Sequence, residues 1–324
     1  MLALKHLASF ATQLSISMKS GIPVNQALST LEKTASTKRL RHISAKIREA
    51  IDKGSSLENA FMEFRDDFPD MFISLISAGE KTGHTAEVTA QLGEFYQSRY
   101  LLANRIMWEL ATTGFYLFIC LCLIIFIEYV LAGWDISVAI NRLEIIGIAV
   151  IFFILLPWAF YKNVRFFRVI VSAILLNVPF YGSAIRKLAI ARFCSTMAMG
   201  INAGLDIRNT IKYSARAMSN ALLERKALKA IEHIESGKTI AESLTITGIF
   251  PLFISQMFQT GELSGTMYDM MQKAAVITRE QGENALSNLS QITARLLYFI
   301  VLVYVAFKVI IYWQKIFSTM FSGF

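Results

Sequence analysis

The chain has 324 residues, of which 54% are hydrophobic and only 17% charged, against about 25% charged residues in an average soluble domain. With a mean hydropathy of +0.47, 5 prolines and 17 glycines, it is neither disordered, nor collagen-like, nor an ordinary soluble enzyme, nor a loop-rich all-β protein. The net charge of +8 points to nucleic acid or to anionic lipid, and its placement along the chain decides between them.

Residues 1–109 form a first amphipathic stretch. It does not open with a signal peptide, because Lys5, His6 and Lys19 interrupt it and no apolar core follows the first charge. Leu7, Phe10, Ala11, Leu14 and Met18 lie on one helical stripe. Gly21 can close that helix in a left-handed cap, and Pro23 suits the first turn of the next. Ser55 to Glu58 (SSLE) fits a capping box, and Pro69 precedes another amphipathic helix. In GEKTG, Gly79 and Gly83 bracket a tight helix–helix turn, and Glu80 is expected to bond the free amides at the start of the following helix.

Three apolar runs follow. Residues 110–132 pass 18 positions, Leu110 to Ile127, without a charge, long enough to span a bilayer. Residues 145–161 form a second span, with Pro157 and Trp158 near its end, where a kink and an interfacial aromatic are tolerated. Residues 296–313 form a third, in which Lys308 reaches the nearer interface by snorkelling. The run Val169–Val178 is too short to span and reads as buried core or an interfacial stretch. Cys120 and Cys122 read as small buried hydrophobes within the first span, and with Cys194 they are too few for a disulfide framework.

Basic residues near the spans set the orientation. Arg99, Arg105, Lys162, Arg165, Arg168, Arg279 and Arg295 lie on one side, against Arg142, Lys308 and Lys315 on the other. The N-terminus is therefore expected in the cytoplasm, with the loop 133–144 and the tail 314–324 outside. Residues 162–295 hold 16 basic and 9 acidic residues, whereas 1–110 hold 13 and 12. The surplus sits beside the second span, as contact with anionic lipid requires, so no nucleic-acid partner is expected.

The stretch 162–295 repeats the first. Phe10 matches Phe193, Gly21 matches Gly204 and Gly54 matches Gly237, all at an offset of 183. After one deletion the offset is 182. FPDMFISLISAGEKTG then lies against FPLFISQMFQTGELSG, which pairs Phe68 with Phe250, Pro69 with Pro251, Gly79 with Gly261, Glu80 with Glu262 and Gly83 with Gly265. The period is too long for a solenoid of 20–50-residue units; this is a duplicated domain. Asp206, at the place of Pro23, suits an N-cap. Thr239 to Glu242 (TIAE) matches SSLE in kind but one residue out of register. Two spans separate the copies, so both face the same compartment, in agreement with the charge distribution. The expected fold is all-α: two duplicated cytoplasmic helical bundles, at 1–109 and 162–295, and three transmembrane helices.

The sequence offers little chemistry. ESGKT at 235–239 ends like a phosphate-binding loop, but the glycine such a loop needs at 232 is Glu232. His6, His42, His84 and His233 have no partners at metal-ligand spacing, and no G-x-S-x-G occurs. No catalytic, cofactor-binding or metal-binding residue is expected. Glu80 and Glu262 could be read as a catalytic pair, but the same acid at the same turn of both copies fits a bracing role better. Glu128, near the outer end of the first span, is open between function and interfacial placement. The methionines and phenylalanines of both copies are mostly core, with some marking partner surfaces.

A duplicated helical domain, a two-span hairpin between the copies and a closing span, with FP…GE-x-x-G in each copy, resembles the type II secretion system protein F family. These are inner-membrane platform proteins of type II secretion and type IV pilus machines. The resemblance rests on Gly21, Gly54, Pro69, Gly79, Glu80 and Gly83, then Gly204, Gly237, Pro251, Gly261, Glu262 and Gly265, and covers nearly the whole chain. It implies no enzymatic activity and no cofactor. It implies a homo-oligomeric platform in the bacterial inner membrane. Its partners would be a cytoplasmic assembly ATPase, pilin or pseudopilin subunits and other inner-membrane assembly proteins. ATPase motion would shift the cytoplasmic bundles, and the spans would pass it to the pilin helices. Many members of the family carry an extra N-terminal segment; here Phe10 already belongs to the first repeat, so that segment's contacts are expected to be absent or made otherwise. The reading from another class, a small membrane transporter or channel subunit, predicts polar residues inside the spans, where the sequence offers only Glu128 and Lys308.

Overall fold

The computed structural model describes residues 2–131 and 181–321, and among them the regular elements are all helices. The first copy comprises α1 (Leu4–Lys19), α2 (Val24–Thr34), α3 (Lys38–Asp52), α4 (Leu57–Met62), α5 (Asp70–Thr82) and the start of α6 (Thr85–Leu131). The second repeats the order as α7 (Tyr181–Asn202), α8 (Ile207–Ala217), α9 (Ala221–Glu235), α10 (Ile240–Ile246), α11 (Leu252–Ser264) and the start of α12 (Met267–Phe321). The backbone is helical over 110–131 of the expected first span and through the expected third, and α12 runs on past Trp313 to Phe321.

Local chemistry sets the helix ends. α1 buries Leu7, Phe10, Ala11 and Leu14, and closes when the Ile22 amide donates to the Ser17 carbonyl around Gly21, at φ 79°. A residue with a Cβ is strained at that angle. Asp206 accepts from the Asn209 amide at 3.0 Å to cap α8, which holds its carboxyl below the usual aspartate range. Thr37 and Asn220, at equivalent positions, cap α3 and α9.

One expected register is corrected. The cap of α4 is Ser56, which accepts from the Asn59 amide at 3.2 Å. It stands at the same offset of 183 as Thr239, which accepts from the Glu242 amide at 3.2 Å. The two caps are in register. Ser55 belongs to the end of α3, where its amide donates to the Ala50 carbonyl at 3.0 Å.

The chain divides into two compact units. The first, Met1–Asn104 with Ser183–Glu283, holds both copies. Within it, Phe10, Phe61, Phe68, Phe72 and Tyr96 make an aromatic cluster with neighbouring ring centroids 4.9–6.4 Å apart. Phe193, Phe250 and Phe258 make a smaller one in the second copy, at 5.0 Å. Cys194 is buried in that copy, which pushes its thiol up to about 12.

The second unit, Arg105–Gly182 with Asn284–Phe324, takes the remainder of α6 and α12. Their described side chains include exposed Phe115, Phe118 and Phe126, then Phe299, Leu302 and Phe307. Among the described residues no helix is long and apolar enough to cross a membrane. Of the expected spans, 145–161 lies outside the described residues, as do many side chains of 110–132, Glu128 among them, and several of 296–313. The loop 133–144, the run Val169–Val178 and the orienting residues Arg142, Lys162, Arg165 and Arg168 lie outside them as well.

Candidate functional site

The shared motif folds into the same device in each copy. Pro69 and Pro251 stand just before α5 and α11. Glu80 and Glu262 sit on the last turn of those helices. Side chains on a helix lean towards its N-terminus, so each carboxylate reaches back rather than forward. Both oxygens of Glu80 accept from the Leu57 amide, at 2.9 and 3.0 Å. Those of Glu262 accept from the Ile240 amide and the Ala241 amide, each at 2.8 Å. The expectation that these acids serve the following helix is thereby corrected: the amides belong to the start of the short helix just before the one that carries the glutamate. That helix has only 6 residues in the first copy and 7 in the second, too short to stand on its own. Its free amides and positive end favour an anion, and charge-assisted bonds of this kind are the stronger ones.

The glycines serve the same device. Gly83 and Gly265, at φ 78° and 71°, close α5 and α11 in left-handed caps. Gly79 and Gly261 let the next helix start close by: a Cβ on Gly261 would lie 2.9 Å from the Met267 Cα, and one on Gly79 would lie 3.3 Å from the Thr85 Cα. Gly54 and Gly237 adopt matching positive φ after α3 and α9. The twelve motif residues therefore lie at helix ends and turns. They are gathered within each copy, and Glu80 and Glu262 each spend their oxygens on backbone amides of their own copy. Among the described residues no group of three or more His, Cys, Asp or Glu could hold a metal ion.

The junction between the copies carries the polar contacts that local patterns did not reveal. Ser74 and Tyr213 share a hydroxyl–hydroxyl bond of 2.6 Å, and Gln91 donates to the Tyr268 hydroxyl at 2.9 Å. Arg99 lies 5.7 Å from the Phe95 ring centroid and donates to the Ser219 hydroxyl at 3.3 Å, while Arg192 donates to the Met218 carbonyl at 2.7 Å. Both cations thus hold the turn after α8, where carbonyls are free and a positive charge is favoured. Burial pushes Arg192 down to about 10, and the charge of Arg99 adds to this. Arg99 is one of the basic residues expected to orient the chain, and its contacts here are with Phe95 and Ser219. A cleft of about 510 Å³ opens between α6, α7 and α12, with Phe95, Met199, Met257 and Val276 in its wall and Lys273 and Arg279 at its edge. Glu94 and Ser195 line it as well. The signal for the Ser74–Tyr213, Gln91–Tyr268 and Arg99–Ser219 contacts lies in pairs more than a hundred residues apart, which no spacing rule reaches; Arg192 and Met218 both belong to the second copy.

A helical domain is thus present twice, each copy pinned by a glutamate brace, and the two are joined in one compact unit. The chain belongs to the family described as Type II secretion system (T2SS), protein F, which it matches over residues 10–132 and 193–312. It is similar to the Type II secretion system protein F of Pseudomonas aeruginosa, 23% identical over 294 residues that cover 85% of this chain and 73% of that protein. It is also similar to the Type IV pilus assembly protein PilC of the same organism, 22% identical with 88% and 82% covered. The PilC of Thermus thermophilus is 23% identical, with 89% and 76% covered.

Proposed function

We propose that this chain is an inner-membrane platform. It couples a cytoplasmic assembly ATPase to polymerisation of pilin or pseudopilin subunits in type II secretion or type IV pilus biogenesis. The observation that carries this reading is the repetition of one braced helical domain within a single unit, with most of each copy inside the family match. The exposed phenylalanines of α6 and α12 support membrane contact, because apolar patches of that kind mark membrane or protein interfaces. On this reading residues 110–132, 145–161 and 296–313 span the membrane, and both copies lie in the cytoplasm. The chain works mechanically and as a homo-oligomer, without chemistry of its own.

The test is in-cell crosslinking of the full chain, with a photo-reactive residue at exposed Lys53 in one experiment and at exposed Lys229 in another. Recovery of a hexameric ATPase and of pilin-like subunits is the expected result, and it assigns each partner to a copy. Recovery of neither, from cells in which the protein is expressed and membrane-inserted, overturns the reading and directs attention to solute flux.

A further inference from the structure

The two copies meet partly through counterpart helices, where Gln91 of α6 bonds Tyr268 of α12, and partly through unlike surfaces. α5 of the first copy lies against the α7–α8 corner of the second. Besides the Ser74–Tyr213 bond, Thr82 donates to the Ala203 carbonyl at 3.3 Å and Arg216 lies 3.6 Å from Asp70. Met199, Ala203 and Ala217 of the second copy form part of the core of the first. When two related domains join through unlike faces, one face of each kind is left over. Here the unused faces are α11 of the second copy, the counterpart of α5, and the α1–α2 corner of the first, the counterpart of α7–α8.

Both unused faces are built like contacts. Where α5 carries Asp70 and Lys81, α11 carries Leu252 and Leu263, which are 75% and 90% exposed. Met199 is 3% exposed inside the junction, but its counterpart Ile16 is 59% exposed. Ile22, the counterpart of Leu205 in the same corner, is 39% exposed. The corner itself is vacant. A Cβ on Gly204 would lie 2.9 Å from the Thr82 side chain across the junction, whereas around Gly21 nothing lies within 4 Å. Two apolar faces related by duplication to a pair that already fit each other are complementary by descent.

We propose that a second copy of this chain occupies these faces. The α11 surface of one chain, with Leu252 and Leu263, docks on the α1–α2 corner of the next, at Ile16 and Ile22, and so repeats the internal junction between chains. Such a contact is head-to-tail, and it closes into a ring where the rotation permits. The inference goes beyond the platform reading, since it specifies the surface and the polarity of the oligomer and holds whichever machine the protein serves.

The test uses the full chain in membranes, with Cys120, Cys122 and Cys194 replaced by alanine. Ser20 and Ser264 are the counterparts of Ala203 and Thr82, which lie 3.3 Å apart across the internal junction. One chain carries Ser20→Cys and a differently tagged chain carries Ser264→Cys. A short bis-maleimide is expected to join the two kinds of chain and neither kind to itself. Leu263→Asp should lower the joined fraction at least tenfold. The internal control, Asp70→Cys with Arg216→Cys in one chain, should crosslink unchanged and report an intact fold.

A product between two Ser20→Cys chains or two Ser264→Cys chains would show a symmetric contact and overturn the proposal. So would the absence of any chain–chain product while the internal control forms. Shielding of position 264 from maleimide only when other cell proteins are present, with no chain–chain product, would assign the face to a different partner and overturn it as well.

Discussion

The two copies share a plan but stabilise it differently. The first fills its centre with five aromatic rings. In the second, Leu244, Ile254 and Thr278 stand where Phe61, Phe72 and Tyr96 stand in the first; Phe193 and Phe250 remain, and Phe258 joins them at the place of Ile76. The brace differs in the opposite sense. Glu80 places both oxygens on one amide, whereas Glu262 gives one to each of two. The core of a duplicated domain can thus be rebuilt from other, smaller side chains, while a helix start that needs an anion keeps its anion.

The largest effects should come from the first copy's rings. Phe72 is fully buried and contacts four other rings. Phe72→Ala should cost about 3–5 kcal/mol, and Ile254→Ala about 2–5 kcal/mol at the low end of that range. Thermal melting of the two variants in detergent checks the order. Equal losses would mean that the ring cluster adds nothing beyond buried area.

The brace comes next. Glu80→Ala leaves one part-buried amide without an acceptor and Glu262→Ala leaves two, each a loss of about 1–3 kcal/mol. The glutamine variants sharpen the comparison. A glutamine keeps one acceptor oxygen, enough for the Leu57 amide but not for Ile240 and Ala241 together. Glu262→Gln should therefore destabilise more than Glu80→Gln, with amide exchange at the start of α10 rising more than at the start of α4. Equal behaviour of the two would refute the one-amide against two-amide distinction.

What could be read in the sequence was local. Gly21 closing α1 and Asp206 capping α8 follow from two or three adjacent residues. The aromatic and aliphatic core positions follow from helical spacing. The cap of α4 was misplaced because Ser55 and Ser56 look alike on paper, and only the finished fold shows Ser55 at the end of α3 and Ser56 accepting from the Asn59 amide. The target of Glu80 lies 23 residues back in the chain, so the acid was recognisable as a brace but not what it held. The joining of the copies through Tyr213, Thr82 and Arg99 depends on faces brought together only by the finished fold.

The tight starts of α6 and α12 offer a smaller contrast. A methyl at Gly261 would press on backbone, 2.9 Å from the Met267 Cα, whereas at Gly79 its nearest neighbour is the Val88 side chain at 3.1 Å. Backbone yields less readily than a side chain. Gly261→Ala should cost about 1–3 kcal/mol, and Gly79→Ala should fall at or below the lower end of that range. Melting temperatures of the two variants measure the difference.

The smallest effect concerns a charge that the first copy has and the second lacks. Glu58 accepts from the Ser77 hydroxyl at 2.6 Å and from the Lys81 ammonium at 3.0 Å, while Ala241 and Leu263 occupy the counterparts of Glu58 and Lys81. The Ser77 bond, and secondarily Lys81, hold the Glu58 carboxyl below the usual glutamate range. A carboxyl whose pKa is lowered by folding stabilises the folded chain fully above its unfolded value, and that share is lost as pH falls through the folded value. The side chain is 40% exposed, so solvent screening limits the share to under about 1 kcal/mol. Glu58→Gln should remove this part of the acid sensitivity below the ordinary glutamate range and leave stability near neutrality lower by the same small amount. Amide exchange followed separately in α4–α5 and α10–α11 as pH is lowered makes the contrast visible, because only the first pair should respond to the substitution. A response of α10–α11 equal to that of α4–α5 would show that the two copies unfold as one body and that the Glu58 contribution is spread over both.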